Sequence, residues 1–64
     1  MTDAQLETER VALLAQEHDL LEAMKRLRLT PNDRRAHAAH HARLAAHDDR
    51  IRAYRYALTH RTPE

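Results

Sequence analysis

Cysteine is absent from this 64-residue chain, and its absence excludes several kinds of protein. Disulfide scaffolds, thiolate metal sites and thiol nucleophiles all need cysteine, so a metal ion would have to be held by histidine and carboxylate side chains. Glycine, phenylalanine and tryptophan are also absent, and the only prolines are Pro31 and Pro63. Nothing between Thr2 and Leu29, or between Pro31 and Arg61, therefore interrupts a helix.

The chain also lacks a long apolar run and a strong excess of one charge. Its apolar runs are far shorter than the roughly 20 residues that a membrane-spanning helix needs, and its acidic N-terminus does not resemble a secretory signal. Eleven basic and ten acidic residues give a net charge of +1, which does not by itself indicate nucleic-acid binding. We expect a cytoplasmic protein with no membrane partner.

The commonest residues are alanine, arginine and leucine, which are strong helix formers. Alternation of apolar and polar residues with a period of two, which would indicate strands, is missing. The sequence predicts an all-α fold, an antiparallel hairpin of two helices at about 2–29 and 31–61, in a single domain spanning 1–64.

The predicted turn reads Leu29-Thr30-Pro31-Asn32-Asp33. In this segment Thr30 is expected to cap the second helix, Pro31 to take its first helical position and Asp33 to place an acid in its first turn. Thr2 and Asp3 are expected to cap the first helix in the same way. The turn between the helices is therefore predicted to be very short.

Each predicted helix carries a stripe that is expected to face the other helix, and we call the contact between the stripes the interhelical seam. On the first helix Leu6, Leu13, Leu20 and Leu27 recur every seven residues, and we predict Arg10, Glu17 and Met24 as the positions between them. On the second helix the same spacing predicts seam positions at His37, His40, Leu44, His47, Ile51, Tyr54, Leu58 and Arg61.

Antiparallel packing of these stripes places their charged groups near possible partners. Glu17 is predicted to lie between His40 and His47, and Arg10 is predicted to lie near Asp48. Burying an unpaired charge costs several kcal/mol, so we expect either that Glu17 pairs with a histidine and Arg10 with Asp48, or that these four groups lie close to solvent.

A hairpin of this size has too little core to be stable alone, because ordering each residue costs roughly 1.5 kcal/mol. A dimer that forms a four-helix bundle is the simplest remedy. We therefore predict a self-associating protein-interaction or assembly module without a cofactor, whose partner is a second copy or another helical protein. The predicted interface comprises Leu6, Leu13, Leu14, Leu20, Leu21, Met24, Leu27, Leu44, Ile51, Tyr54 and Leu58.

A metal-binding bundle is the alternative, because four of the six histidines fall within residues 37–47. Histidine and carboxylate ligands suit zinc, copper, nickel or iron, so the cofactor would be a divalent transition metal. The Glu-x-x-His pattern of di-iron bundles is missing, which weakens this hypothesis. The candidate ligands are Glu17, Asp33, His37, His40, His41 and His47.

Three further hypotheses have less support in the sequence. Protonation of the histidines would charge the seam, which makes it a candidate pH sensor. Arginines around Tyr54 and Tyr56 could bind nucleic acid, but these two tyrosines point about 200° apart on a helix and cannot form one stacking platform. An enzyme is not expected, because no nucleophile stands beside an oriented base.

Two segments of the chain resemble a known family. Glu17-His18-Asp19-Leu20 is followed at helical spacing by Met24 and Leu27, and Arg43-Leu44-Ala45-Ala46-His47-Asp48 resembles an Arg-Leu-x-Leu-Lys-Asp stretch. Together they resemble the short YdcH-like bacterial proteins, with departures at Ala46 and His47. The resemblance implies a helical hairpin and no particular activity.

Overall fold

The computed structural model describes residues 1–61, which form two helices and, within that range, no strand. Helix α1 spans Asp3–Leu27 and helix α2 spans Arg34–Thr59. Contacts between the helices pair early residues of α1 with late residues of α2, so the helices are antiparallel. The predicted all-α hairpin is confirmed, and it is a thin rod of 50 × 15 × 12 Å.

Helix α1 begins with a capping box, as the sequence predicts for Thr2. The Thr2 hydroxyl accepts a hydrogen bond from the Gln5 backbone N–H at 3.2 Å, and the Gln5 side-chain oxygen accepts one from the Thr2 N–H at 2.9 Å. The helix ends at Leu27, earlier than the predicted residue 29. The approaching Pro31 explains this, because a proline disfavours helical backbone in the residue before it and has no N–H to donate.

The start of α2 differs from the prediction. Asp33, and not Thr30, is the N-cap: its Oδ1 accepts the Ala36 N–H at 3.0 Å, and the helix begins at Arg34. The Thr30 carbonyl instead accepts the Asp33 N–H at 3.2 Å, which closes a turn around Pro31. The expectation that Pro31 opens the helix was therefore wrong, because a backbone turn takes up residues 30–33.

The far end of α2 is also shorter than predicted and stops at Thr59. The Thr59 hydroxyl donates to the Tyr56 carbonyl at 2.9 Å, and the cap residue His60 leaves helical geometry at φ −122° and ψ 41°. A side chain that bonds to the preceding turn in this way competes with continuation of the helix.

The core of the hairpin is small and partly polar. Helix α1 buries Leu6, Leu13 and Leu20, which are 4–7% exposed, and this confirms the predicted seven-residue stripe. Helix α2 buries two histidines and one alanine against them, each 8% exposed: His40, His47 and Ala57.

Candidate functional site

The positions that alternate with the core leucines of α1 are not the ones predicted. Glu9, Gln16 and Ala23 are half-buried toward α2, whereas Arg10, Glu17 and Met24 are exposed. Both sets lie between leucines spaced by seven, so the leucine repeat fits either one. The interhelical seam therefore follows the first set, and the second set belongs to the outer surface of the hairpin.

His47 shows what this change of register does to the polar contacts. Its Nδ1 lies 2.6 Å from the side-chain oxygen of Gln16, and since that oxygen can only accept, the ring carries a proton on Nδ1. Glu17 does not pair with a seam histidine. It lies one position round the helix from Gln16 and is exposed, which is the second alternative expected for this carboxylate. Gln16 was not identified from the sequence as the partner of His47. The feature that pointed to it was its position between the core residues Leu13 and Leu20.

His40 is buried without such a partner. Its Nδ1 is the one buried side-chain nitrogen or oxygen among the described residues that makes no hydrogen bond. An unpaired buried polar group costs about 1–3 kcal/mol. We therefore expect a leucine at this position to stabilise the hairpin, because it has no polar atom to leave unpaired.

Two of the other predicted metal ligands are engaged by the turn. The His37 ring donates from Nε2 to the Thr30 carbonyl at 3.2 Å, and the Asp33 carboxylate caps α2. His41 is exposed on the outer surface of α2. Across residues 1–61, no three histidine, aspartate or glutamate side chains are grouped so that they could hold one metal ion. The metal hypothesis therefore has no assembled ligand set in the hairpin.

Arg10 and Asp48 do not pair with each other and lie close to solvent, which is the second expected alternative. Arg10 bonds to Glu7 on its own helix at 2.6 Å, and Asp48 bonds to Arg52 on its own helix at 2.8 Å. The hydrogen bonds from the Arg10 guanidinium lower the pKa of the Glu7 carboxyl. Neither charged group is buried, so a partner one turn away on the same helix suffices.

Ion pairs that do connect the helices lie toward their open ends. Arg50 on α2 donates from Nε to the Glu9 carboxylate, and this hydrogen bond raises the pKa of Arg50. Farther along, Arg61 lies 3.7 Å from Asp3. The Arg61–Asp3 pair is solvent-exposed and the Arg50–Glu9 pair is partly exposed, so each is expected to add little to stability.

A largely apolar surface, which we call the leucine face, runs along one side of the hairpin, with Arg10, Glu17 and Arg55 among the residues that line it. Five of its six members are 37–54% exposed and Ile51 is half-buried. Two adjoining depressions of about 290 Å³ each run along this side and share Glu17, His47 and Ile51. The leucine face consists of Leu14, Leu21 and Met24 on α1 and Leu44, Ile51 and Leu58 on α2.

The predicted interface residues thus divide into two groups. Leu6, Leu13 and Leu20 are buried within the hairpin, and Leu27 and Tyr54 are half-buried. The remaining predicted residues are the six that make up the leucine face. One hairpin covers the first group and leaves the second exposed, apart from the half-buried Ile51.

The two tyrosines diverge, as expected from their spacing. Tyr54 lines the leucine face, whereas Tyr56 is 66% exposed and stacks on His60 with ring centres 4.0 Å apart. They do not form a shared stacking surface for bases.

Within residues 1–61, neither helix has the length and apolarity needed to cross a membrane. Comparisons with models of known protein families, with curated proteins and with solved structures find no match to this chain.

Proposed function

We propose that this protein is a self-associating assembly module, in which the leucine face packs against the same face of a second copy to form a four-helix bundle. The observation that carries the proposal is the spacing of the exposed apolar side chains. Leu14 and Leu21 are seven residues apart on α1, and Leu44, Ile51 and Leu58 are seven apart on α2. Such a repeat on an exposed surface is typical of a helix that packs against another helix.

The size of the face suits a dimer. The rod measures 50 Å by 15 Å, so one side offers about 750 Å² per copy as the product of the two lengths. Two copies would bury about 1,500 Å², within the usual range of specific interfaces, roughly 1,200–2,000 Å². A small hairpin with a partly polar core also has reason to bury more apolar surface.

The charges on the leucine face suit a second copy of the same chain. Arg10 and Glu17 line it seven residues apart on α1, with Leu14 between them, and Arg55 lines it from α2. In a two-fold contact, residue i of one copy meets residue j of the other and j meets i. An antiparallel contact between the two α1 helices, centred between residues 13 and 14, therefore brings each Arg10 to the Glu17 of the other copy.

Size-exclusion chromatography with light scattering tests the association. The native chain is expected at twice the mass of one chain. Leu14→Gln with Leu21→Gln removes about 1 kcal/mol for each half-exposed leucine, about 4 kcal/mol per dimer, which raises the dissociation constant roughly 1,000-fold. Val11→Gln is the matched control, because Val11 and Leu14 are both 54% exposed and Val11 lies off the leucine face.

A native chain that runs as a monomer at high concentration contradicts the proposal, as does a Val11→Gln variant that dissociates as readily as the double variant. The same measurement, repeated with a chelator and then with zinc, distinguishes this proposal from the metal hypothesis. The metal hypothesis predicts that the mass of the assembly depends on metal. Circular dichroism confirms that each variant keeps its helices.

Charge reversal tests the register. Arg10→Glu and Glu17→Arg each place like charges together across the proposed contact and are expected to weaken the dimer, whereas the double variant is expected to restore it. If the double variant is weaker than both single ones, the α1 helices do not meet in this register.

A further inference from the structure

We infer that the turn end of the hairpin docks onto anionic phospholipid surfaces, with Leu29 entering the boundary between headgroups and acyl chains. Helix geometry at the turn brings two basic segments together, one ending α1 and one beginning α2. Residues 25–35 carry five basic residues and one acid, whereas the rest of the chain carries six basic residues and nine acids. The net charge of +1 therefore conceals a turn of formal charge +4 on a remainder of −3.

The basic side chains of this turn are free to meet a ligand. Arg28, Arg34 and Arg35 are exposed and make no ion pair among the described residues. Lys25 lies 3.1 Å from Glu22, and the acid in the turn, Asp33, is occupied as the cap of α2. Most of the positive charge at this end is thus uncompensated.

Leu29 distinguishes a lipid surface from other anionic partners. It is 83% exposed at the tip, the highest value among the large apolar residues of the described chain. A basic cluster around an exposed apolar side chain combines the two contributions that peripheral membrane binding uses, attraction to anionic headgroups and apolar burial. The turn is less suited to single-stranded nucleic acid. The aromatic side chains that would stack on bases, Tyr54 and Tyr56, lie toward the other end of α2.

The sequence expectation of no membrane partner rested on the lack of a long apolar run. Such a run is needed to span a bilayer, and it is not needed to lie on one. The turn also lies outside the leucine face, so docking through it does not depend on whether the hairpin dimerises.

Vesicle flotation with the full chain tests the inference. Vesicles of phosphatidylcholine with about 30 mol% phosphatidylserine are expected to bind the protein, and pure phosphatidylcholine is not. Binding should weaken steeply as salt rises from about 0.05 to 0.5 M. Each basic residue near such a surface raises affinity about five-fold, so Arg28→Gln, Arg34→Gln and Arg35→Gln together are expected to lower it about 100-fold.

A matched triple variant, Arg43→Gln, Arg52→Gln and Arg61→Gln, loses the same charge from exposed positions outside the turn and is expected to bind nearly as well as the native chain. Leu29→Gln is expected to lower the affinity for the anionic vesicles about ten-fold. Val11→Gln, which alters an exposed apolar residue on the side of α1, is expected to change this affinity little.

Three results would overturn the inference. They are equal binding to both kinds of vesicle, equal losses in the two triple variants, and an unchanged affinity of Leu29→Gln. Turn-dependent binding to a single-stranded oligonucleotide without vesicle binding would likewise reject the lipid surface in favour of nucleic acid.

Discussion

At the scale of single residues, two histidines occupy positions where a helical hairpin usually buries leucine, and their surroundings differ. His47 donates to Gln16 from α1 and is satisfied. His40 is equally buried, 8% exposed, and its Nδ1 has no partner. Equal burial therefore has unequal energetic consequences, because the cost of burying a polar atom depends on whether it is bonded.

His40→Leu is accordingly expected to stabilise the protein. The substitution removes an unpaired buried nitrogen and adds apolar volume beside Leu20, so the free energy of unfolding should rise by about 1 kcal/mol. His41→Leu, on the exposed side of α2, is the control and should change it by less than about 0.5 kcal/mol. Urea denaturation followed by circular dichroism measures both, and a loss of stability in His40→Leu would show that the histidine ring is required there.

At the scale of the helices, the ends are set by local hydrogen bonds that compete within a few residues. Thr30 and Asp33 both have side chains that favour N-caps, and the sequence predicts the first of them. Asp33 caps α2 because its Oδ1 accepts the Ala36 N–H, whereas the Thr30 residue belongs to the turn, where its carbonyl accepts from the Asp33 N–H and from the His37 ring. Segments with several capping residues thus leave a helix start uncertain by a few positions.

A pair of alanine substitutions distinguishes the two caps. Asp33→Ala removes the side chain that accepts the Ala36 N–H and is expected to lower the free energy of unfolding by about 1 kcal/mol. Thr30→Ala leaves the carbonyl in place and is expected to cost less than about 0.5 kcal/mol. Thermal melts show which substitution destabilises the protein more. A larger loss of stability in Thr30→Ala than in Asp33→Ala would place the cap at Thr30.

At the scale of the whole molecule, the rod has one apolar side and one basic end. Its core consists of a few leucines packed on histidine and alanine, while five of the six residues of the leucine face are exposed and Ile51 is half-buried. A second copy would cover this face and leave the basic turn exposed. Proposed assembly and proposed docking thus use separate parts of the surface.

Linkage between association and folding provides a test at this scale. If the folded state is a dimer, the melting temperature of the native chain should rise with protein concentration by mass action. Leu14→Gln with Leu21→Gln should melt lower and without this dependence, and Val11→Gln should behave like the native chain. A concentration-independent melting temperature in the native chain would point to a folded monomer.

Much of the hairpin is predictable from local features. Helix-forming residues without glycine, together with Pro31 between them, predict two helices and a turn, and the leucine repeat predicts Leu6, Leu13 and Leu20 as core. The candidate site was predictable only in part. Burial of His40 and His47 followed from their spacing, whereas Gln16 as a hydrogen-bond partner did not.

The sequence by itself determined the secondary structure and the periodic core, because helix propensity and a seven-residue repeat act between neighbours along the chain. The tertiary structure decided which residues lie between the core leucines, since Glu9, Gln16 and Ala23 fit the repeat as well as Arg10, Glu17 and Met24 do. Only the position of α2 against α1 chooses between these sets. That choice turns Glu17 and Met24 outward and creates the leucine face, and the closure of the turn gathers the basic residues at its end.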